Sequence, residues 1–253
     1  MKGNLLVSII LILAGSISGC GGSDDSSSPP PPAAATSAEG RWMGSSSTGR
    51  SVTGVVLEDG TYWFLYSQVG SSPIIAGVVQ GSGSSQNGSF TSSTGTDFDF
   101  EETEIIDVSV TSSYVMKQTI NGTVTYANNH GQTTFTSNYD DDYDLTPDVN
   151  LLIGTYSGSV TTAGAPDALT VTVSAPNSIT GTSISGCNFS GSVSPRSQGN
   201  VYDISVTFEG GVCSNGTSTV NGVAFFDAAT KTLRSAALNS ARTKGFVYVG
   251  TKP

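Results

Sequence analysis

Tyr202-Asp203-Ile204-Ser205-Val206-Thr207-Phe208 decides the fold. Large apolar side chains at every second position, with polar residues between them, have the two-residue period of a strand that buries one face. Leu169-Thr170-Val171-Thr172-Val173 repeats the pattern. Asp59-Gly60, Asn87-Gly88, Asn121-Gly122 and Asn215-Gly216 punctuate such runs, and these pairs accept the positive φ angles of tight hairpin turns. Glycine, serine and threonine are abundant, whereas leucine, lysine and glutamate are scarce, a composition that disfavours helices. An all-β chain of antiparallel hairpins is expected.

The turns divide residues 39–139 into about eight strands, near 41–47, 51–58, 61–68, 74–82, 89–100, 105–120 with room for an interruption, 123–127 and 132–139. Residues 151–253 divide similarly, near 155–161, 168–174, 178–185, 187–194, 201–212, 217–226, 232–238 and 246–250. Alanines between Leu233 and Arg242 leave a short helix open there. Two small meander β-barrels in tandem are the expected architecture, with β-sandwiches as the alternative. Each half opens alike, with Gly40-Arg41-Trp42-Met43-Gly44 and Gly154-Thr155-Tyr156-Ser157-Gly158. The pattern suggests a tandem duplication. It is similar to the head of lipocalin and avidin barrels, where such an aromatic plugs the barrel floor.

Residues 140–150 separate the halves, and their proline and crowded carboxylates read as a solvated acidic linker. Asp140, Asp142 and Asp144 have the spacing of the first three ligands of a calcium loop. The sixth position is Leu145 and the twelfth Leu151, where that loop needs glycine and glutamate. An irregular calcium site is all that this leaves.

Residues 40–150 carry three basic and thirteen acidic side chains, whereas residues 151–253 carry six basic and four acidic. The acidic balance argues against nucleic acid or anionic lipid as a partner. Asp97, Asp99 and Glu101 fall on one face of a strand whose other face holds Phe98 and Phe100. That row reads either as a solubilising surface or as one that attracts cations or a basic protein.

Catalytic chemistry has little to stand on. His130 is the sole histidine and sits in the turn-like Asn128-Asn129-His130-Gly131. No Gly-x-Ser-x-Gly elbow opens a helix, and a glycosidase-like carboxylate pair among Glu58, Asp99, Glu102 and Glu104 cannot be singled out. No enzyme activity and no cofactor are expected. Binding has better candidates, because Tyr62-Trp63-Phe64-Leu65-Tyr66 is apolar on both faces of one strand. One face lines a core; the other covers the second half of the protein, a ligand or a partner. Trp42 is either a core plug or a cavity floor. Possible binding residues are therefore Trp42, Tyr62, Trp63, Phe64 and Tyr66.

Ahead of these domains, Lys2, an apolar run from Leu5 to Ala14 and Ile17-Ser18-Gly19-Cys20 resemble the lipobox signal of bacterial lipoproteins. The resemblance implies cleavage after residue 19 and a diacylglycerol with a further acyl chain on Cys20, enough to hold the protein on a membrane. Gly21, rather than aspartate, after the cysteine implies an outer-membrane address. Residues 20–38 then form a Gly/Ser/Pro tether without a large apolar side chain, reaching about 50 Å at most. Cys187 and Cys213 remain to pair in an oxidising compartment, at the far ends of a hairpin turning near Ser197 to Asn200.

The plan of lipid anchor, tether and small barrels resembles surface lipoproteins of the transferrin-binding and complement-factor-binding type in Gram-negative bacteria. It implies eight-stranded barrels displayed for binding proteins. The expected function is a non-catalytic outer-membrane lipoprotein that binds a protein or small ligand. The alternatives are a periplasm-facing structural or assembly lipoprotein and a carboxylate enzyme acting on glycans.

Overall fold

A computed structural model describes residues 37–163 and 166–253; the signal segment and Cys20 lie outside them. The first half contributes β1 (Gly40–Ser46), β2 (Ser51–Val56), β3 (Thr61–Gln68), β4 (Ser71–Ser82), β5 (Ser84–Gln86), β6 (Ser89–Asp99), β7 (Glu104–Val115), β8 (Thr119–Tyr126) and β9 (Gln132–Tyr139). Apart from β4 and β5, consecutive strands pair antiparallel, and β1 pairs with β9, as in Trp42 opposite Tyr139. Pairing of β4 with β6 from Gly77–Asp99 to Gln80–Thr96 closes an eight-stranded barrel. β5 pairs only with β6, as a short hairpin outside the ring.

The second barrel comprises β10 (Gly154–Thr161), β11 (Asp167–Ser174), β12 (Ser178–Ser183), β13 (Asn188–Pro195), β14 (Tyr202–Phe208), β15 (Thr219–Asp227), β16 (Thr232–Leu238) and β17 (Gly245–Thr251). These pair in chain order, and β17 returns to β10. Tyr202, Ile204, Val206 and Phe208 of β14 all point into its apolar interior, as their alternation requires.

The two barrels begin with the same construction. Trp42 and Tyr156 are both fully buried, and each donates to a carbonyl four residues earlier, Trp42 Nε1 to Ala38 at 3.0 Å and Tyr156 Oη to Leu152 at 2.8 Å. Two residues on, a Cβ at Gly44 would strike the Thr136 carbonyl, and one at Gly158 the Val249 carbonyl. The motif thus puts an aromatic plug in the floor and lets the first strand approach the last closely.

A third apolar layer joins the barrels through their outer faces. Val55, Trp63, Leu65, Val78, Phe98 and Phe100 of the first pack with Val223, Phe225, Ala236, Leu238, Val247 and Val249 of the second. Around this layer, Thr161 Oγ1 donates to the Ile75 carbonyl at 2.7 Å, Arg196 pairs with Glu58 at 2.8 Å and Arg242 donates to the Gln80 carbonyl at 3.0 Å. Residues 140–150, expected as a solvated linker, expose most of their side chains but bury Tyr143. Their first half forms a 3-10 helix (Asp141–Asp144) that buries Tyr143, and α1 (Val149–Leu152) follows.

Two local expectations change, and one open choice is decided. Asn121-Gly122 is not a turn but the middle of β8, where Gly122 faces Ser112 and a Cβ would meet Ser112 Cβ at 2.5 Å; the chain turns instead at Met116–Gln118. Here glycine serves close strand approach, which looks the same in sequence as turn chemistry. Leu233–Leu238 is strand rather than helix, because its alanines face Gly222 and Val223 of β15 and tertiary pairing overrides their helical preference. The row Asp97, Asp99, Glu101 is not an outer surface. Phe98 and Phe100 take the inter-barrel side, so the carboxylates turn to the inside and mouth of the first barrel.

Candidate binding site

β1 runs from the plugged floor towards the opposite end of the first barrel, where the interior stays open as a cavity of about 290 Å³. Val52, Phe64, Val79, Val110, Val124 and Phe135 form its apolar wall, and Arg50, Tyr66, Asp97, Asp99, Tyr126 and His130 add polar atoms. The strands place these groups by alternation. Phe64 and Tyr66 stand two apart on β3, Asp97 and Asp99 at the end of β6, and Val124 and Tyr126 at the end of β8.

Asp97 is the centre of the polar group. Its side chain belongs to a residue only 4% exposed, and it accepts a 2.8 Å hydrogen bond from Tyr66 Oη and a further one from Tyr126. Burial pushes its carboxyl up to about 6, and the neighbouring Asp99 adds to the rise, while the tyrosine hydrogen bonds and Arg50 oppose it. The phenols respond in kind: burial first, then Asp97, hold Tyr66 and Tyr126 above the usual tyrosine range.

Arg50 is the one guanidinium in the lining, and it is already engaged. Its Nη1 contacts Glu101 Oε2 at 3.0 Å and the Ser67 carbonyl at 2.9 Å, with the guanidinium 5.3 Å from the Tyr66 ring centre. Glu101 also accepts from Gln68 Nε2 at 2.8 Å; that bond first, and Arg50 next, hold its carboxyl below the usual range. Asp99 Oδ1 caps the backbone NH groups of Glu101 and Glu102. Neither Asp97 nor Asp99 forms an ion pair with any described residue.

The second barrel is filled by aromatic rings just inside the corresponding end. Phe208 closes β14, the fifth strand of its ring, where β6 of the first ring carries Asp97 and Asp99. Phe208 packs with Phe189 and Phe246 at ring-centre distances of 5.7 and 6.2 Å. Below these rings the interior void is about 40 Å³, and above them a mouth pocket of about 390 Å³ is lined by Leu169, Ser183, Cys187, Phe189 and Phe208. Beside this plug, Cys187 and Cys213 form a disulfide across the hairpin of β13 and β14, as the sequence suggested.

Of the five aromatic candidates, Phe64 and Tyr66 line the cavity. Trp42 and Tyr62 lie in the buried interior of the first barrel, Tyr62 donating to Ser92 Oγ at 3.1 Å, and Trp63 lies in the layer between barrels. Asp140, Asp142 and Asp144 do not converge on a calcium position. Asp140 and Asp142 clasp Arg41, itself 3% exposed, at 2.7 and 3.0 Å, and Asp144 pairs with Lys117 at 2.7 Å. Asp97 was expected only within a carboxylate row that could attract cations, and Tyr126 and Arg50 were not among the expected binding residues. The signal was the alternation Asp97-Phe98-Asp99-Phe100: two phenylalanines needing cover from a second layer turn the aspartates inward.

No protein-family model and no curated protein matches the sequence. Among solved structures, a proposed outer-membrane protein of Bacteroides fragilis is similar at 16% identity and a TM-score of 0.26, over 85% of this chain and 96% of that one. Isotype 1 transferrin-binding protein B of serogroup B Neisseria meningitidis is similar at 10% identity and a TM-score of 0.30, over 81% of this chain and 66% of that one. Intact Ap-TbpB, with N and C lobes, matches at 9% identity and a TM-score of 0.27, over 79% and 66%. No family membership follows from likeness at this level.

Proposed function

We propose that this is a non-catalytic lipoprotein, anchored through Cys20 to the bacterial outer membrane, that binds a small ligand in the mouth of its first barrel. The observation that carries the binding reading is the contrast between two barrels built alike. In one, Phe189, Phe208 and Phe246 fill the interior beneath the mouth pocket; in the other, an open cavity enters the interior and carries a buried carboxylate at its polar end. Apolar concave sites with a few convergent polar groups are the usual form of small-ligand sites. The described chain enters the first barrel at its floor, where Ala38 accepts from Trp42, at the end opposite the mouth.

Two measurements test the two halves of this reading. Cys20→Ser should move the protein out of the membrane fraction; full retention there would remove the lipid anchor from the proposal. Native mass spectrometry of full-length protein extracted from its own membranes should show an added small-molecule mass that Val124→Trp, which fills the cavity, abolishes. Identical spectra for the two proteins would overturn the binding reading.

A further inference from the structure

Resting on the reading of the first barrel as a binding site, we infer that its ligand is a small organic cation, an amine on an aromatic or aliphatic body, whose ammonium group pairs with Asp97. Three observations converge on that chemistry. The deep wall is apolar and aromatic, from Val52, Phe64, Val79, Val124 and Phe135, and takes a hydrocarbon body. At the polar end Asp97 and Asp99 bring two carboxylates without an ion-pair partner. The cation that would otherwise neutralise them, Arg50, is held by Glu101 and the Ser67 carbonyl. An anionic ligand would therefore meet net repulsion, and a neutral one would leave the charge of Asp97 uncompensated away from water.

The hydrogen-bonding capacity agrees. Tyr66 and Tyr126 each donate to Asp97, which orients the carboxylate without neutralising it. An ionised carboxylate offers about four acceptor positions, so two are left for the N–H groups of a ligand ammonium. Glycine and serine would suffice if the barrel needed only closure; an aspartate held dry and unpaired is explained by a partner that brings the opposite charge. The cavity, near the small end of the range for ligand sites, limits that partner to a compact molecule.

Isothermal titration calorimetry on the full-length protein in lipid nanodiscs at pH 7.5 tests the inference with three probes of one shape, phenethylamine, 2-phenylethanol and 3-phenylpropionate. The amine should bind at least tenfold more tightly than either of the others, the factor expected for one hydrogen-bonded charge pair. Asp97→Asn should erase that margin, and Val124→Trp should remove saturable binding altogether. If the alcohol or the carboxylate binds as tightly as the amine and Val124→Trp blocks it, the cation assignment falls and the binding barrel stands. If no probe gives binding that Val124→Trp removes, both fall. The comparison among probes on the unmutated protein decides the charge preference even if Asp97→Asn folds poorly.

Discussion

Asp97→Asn should gain stability relative to the parent protein as pH rises from acid to neutral. Burial raises the Asp97 carboxyl from 3.8 to about 6, a difference worth about 3 kcal/mol at about 1.4 kcal/mol per pKa unit. The sign follows from proton binding. Between these two values the folded protein holds a proton that the unfolded chain has released, so this group's contribution is fully present below pH 3.8 and is lost as pH rises through 6. Above pH 7 the ionised carboxylate is a burden, and the asparagine variant, which stays neutral, escapes it. Replacing a carboxyl by an amide also disturbs the bonds from Tyr66 and Tyr126, at a cost that does not vary with pH below the tyrosine range. The quantity to measure is therefore the change in the stability difference between variant and parent. Urea unfolding, followed by the fluorescence of buried Trp42 and Trp63, should show that difference moving by about 2.5 kcal/mol in favour of the variant from pH 4 to pH 8. A flat difference, or one moving the other way, would refute the claim that Asp97 is ionised at a cost inside the barrel.

Binding of an amine probe should weaken about tenfold per pH unit below 6, because protonation removes the charge on Asp97; calorimetry across pH 4.5–8 reads it. The groups facing that carboxylate are Arg50, Tyr66, Asp99 and Tyr126, with His130 at the mouth, and His130→Gln should leave the midpoint unchanged. Trp63→Ala should cost about 3–5 kcal/mol by opening a cavity in the layer between barrels, and a loss below about 1 kcal/mol in urea unfolding would mean that this layer does not hold them. Reducing the Cys187–Cys213 bond, which closes a separation of 26 residues, should lower stability by about 3.5 kcal/mol; an unchanged urea midpoint in reductant would contradict that. Asp140→Ala, which takes the closer carboxylate from buried Arg41, should cost about 3 kcal/mol, whereas Lys117→Ala on the exposed Asp144 pair should cost less than about 1 kcal/mol.

Alternation was enough to reveal hairpins and about eight strands in each half, because a strand's period is local and each strand pairs mainly with its sequence neighbours, but it left closure into barrels or stacking into sandwiches undecided. The repeated glycine, aromatic and glycine at residues 40–44 and 154–158 also marked both floors. What the sequence left open was which side of a two-faced strand looks inward. Tyr62-Trp63-Phe64-Leu65-Tyr66 is apolar on both sides, and only the docking of the second barrel shows that Trp63 and Leu65 cover it while Phe64 and Tyr66 look inside. The same ambiguity hid Asp97, since an aspartate beside a phenylalanine reads locally as the wet face. In a barrel pressed against a neighbour, both faces can be buried, and the hydrophobic side of an alternating strand need not be the interior. The carboxylates of residues 140–144 are largely solvated, as their density suggested, but their spacing did not reveal that Asp140 and Asp142 pair with Arg41, a hundred residues earlier and almost fully buried.

The division of labour between the barrels follows from how each fills the end opposite its aromatic floor. Phenylalanine at the end of β14 releases apolar surface from water and adds ring contacts with Phe189 and Phe246, a stabilising choice. Aspartate near the end of β6 does the reverse, since it leaves a cavity unfilled and holds a carboxylate dry at a cost of several kilocalories. A barrel needs no such group to close, because β4 and β6 pair through backbone hydrogen bonds. The second barrel, with its filled core, its disulfide and its share of the inter-barrel layer, supplies a rigid wall against Trp63, Leu65 and Phe98. That wall fixes the outward faces of β3 and β6, and by alternation it fixes the inward aim of Tyr66 and Asp97. The solid barrel thereby positions the polar end of the hollow one, and loosening the shared layer should disturb ligand selectivity before it opens either ring.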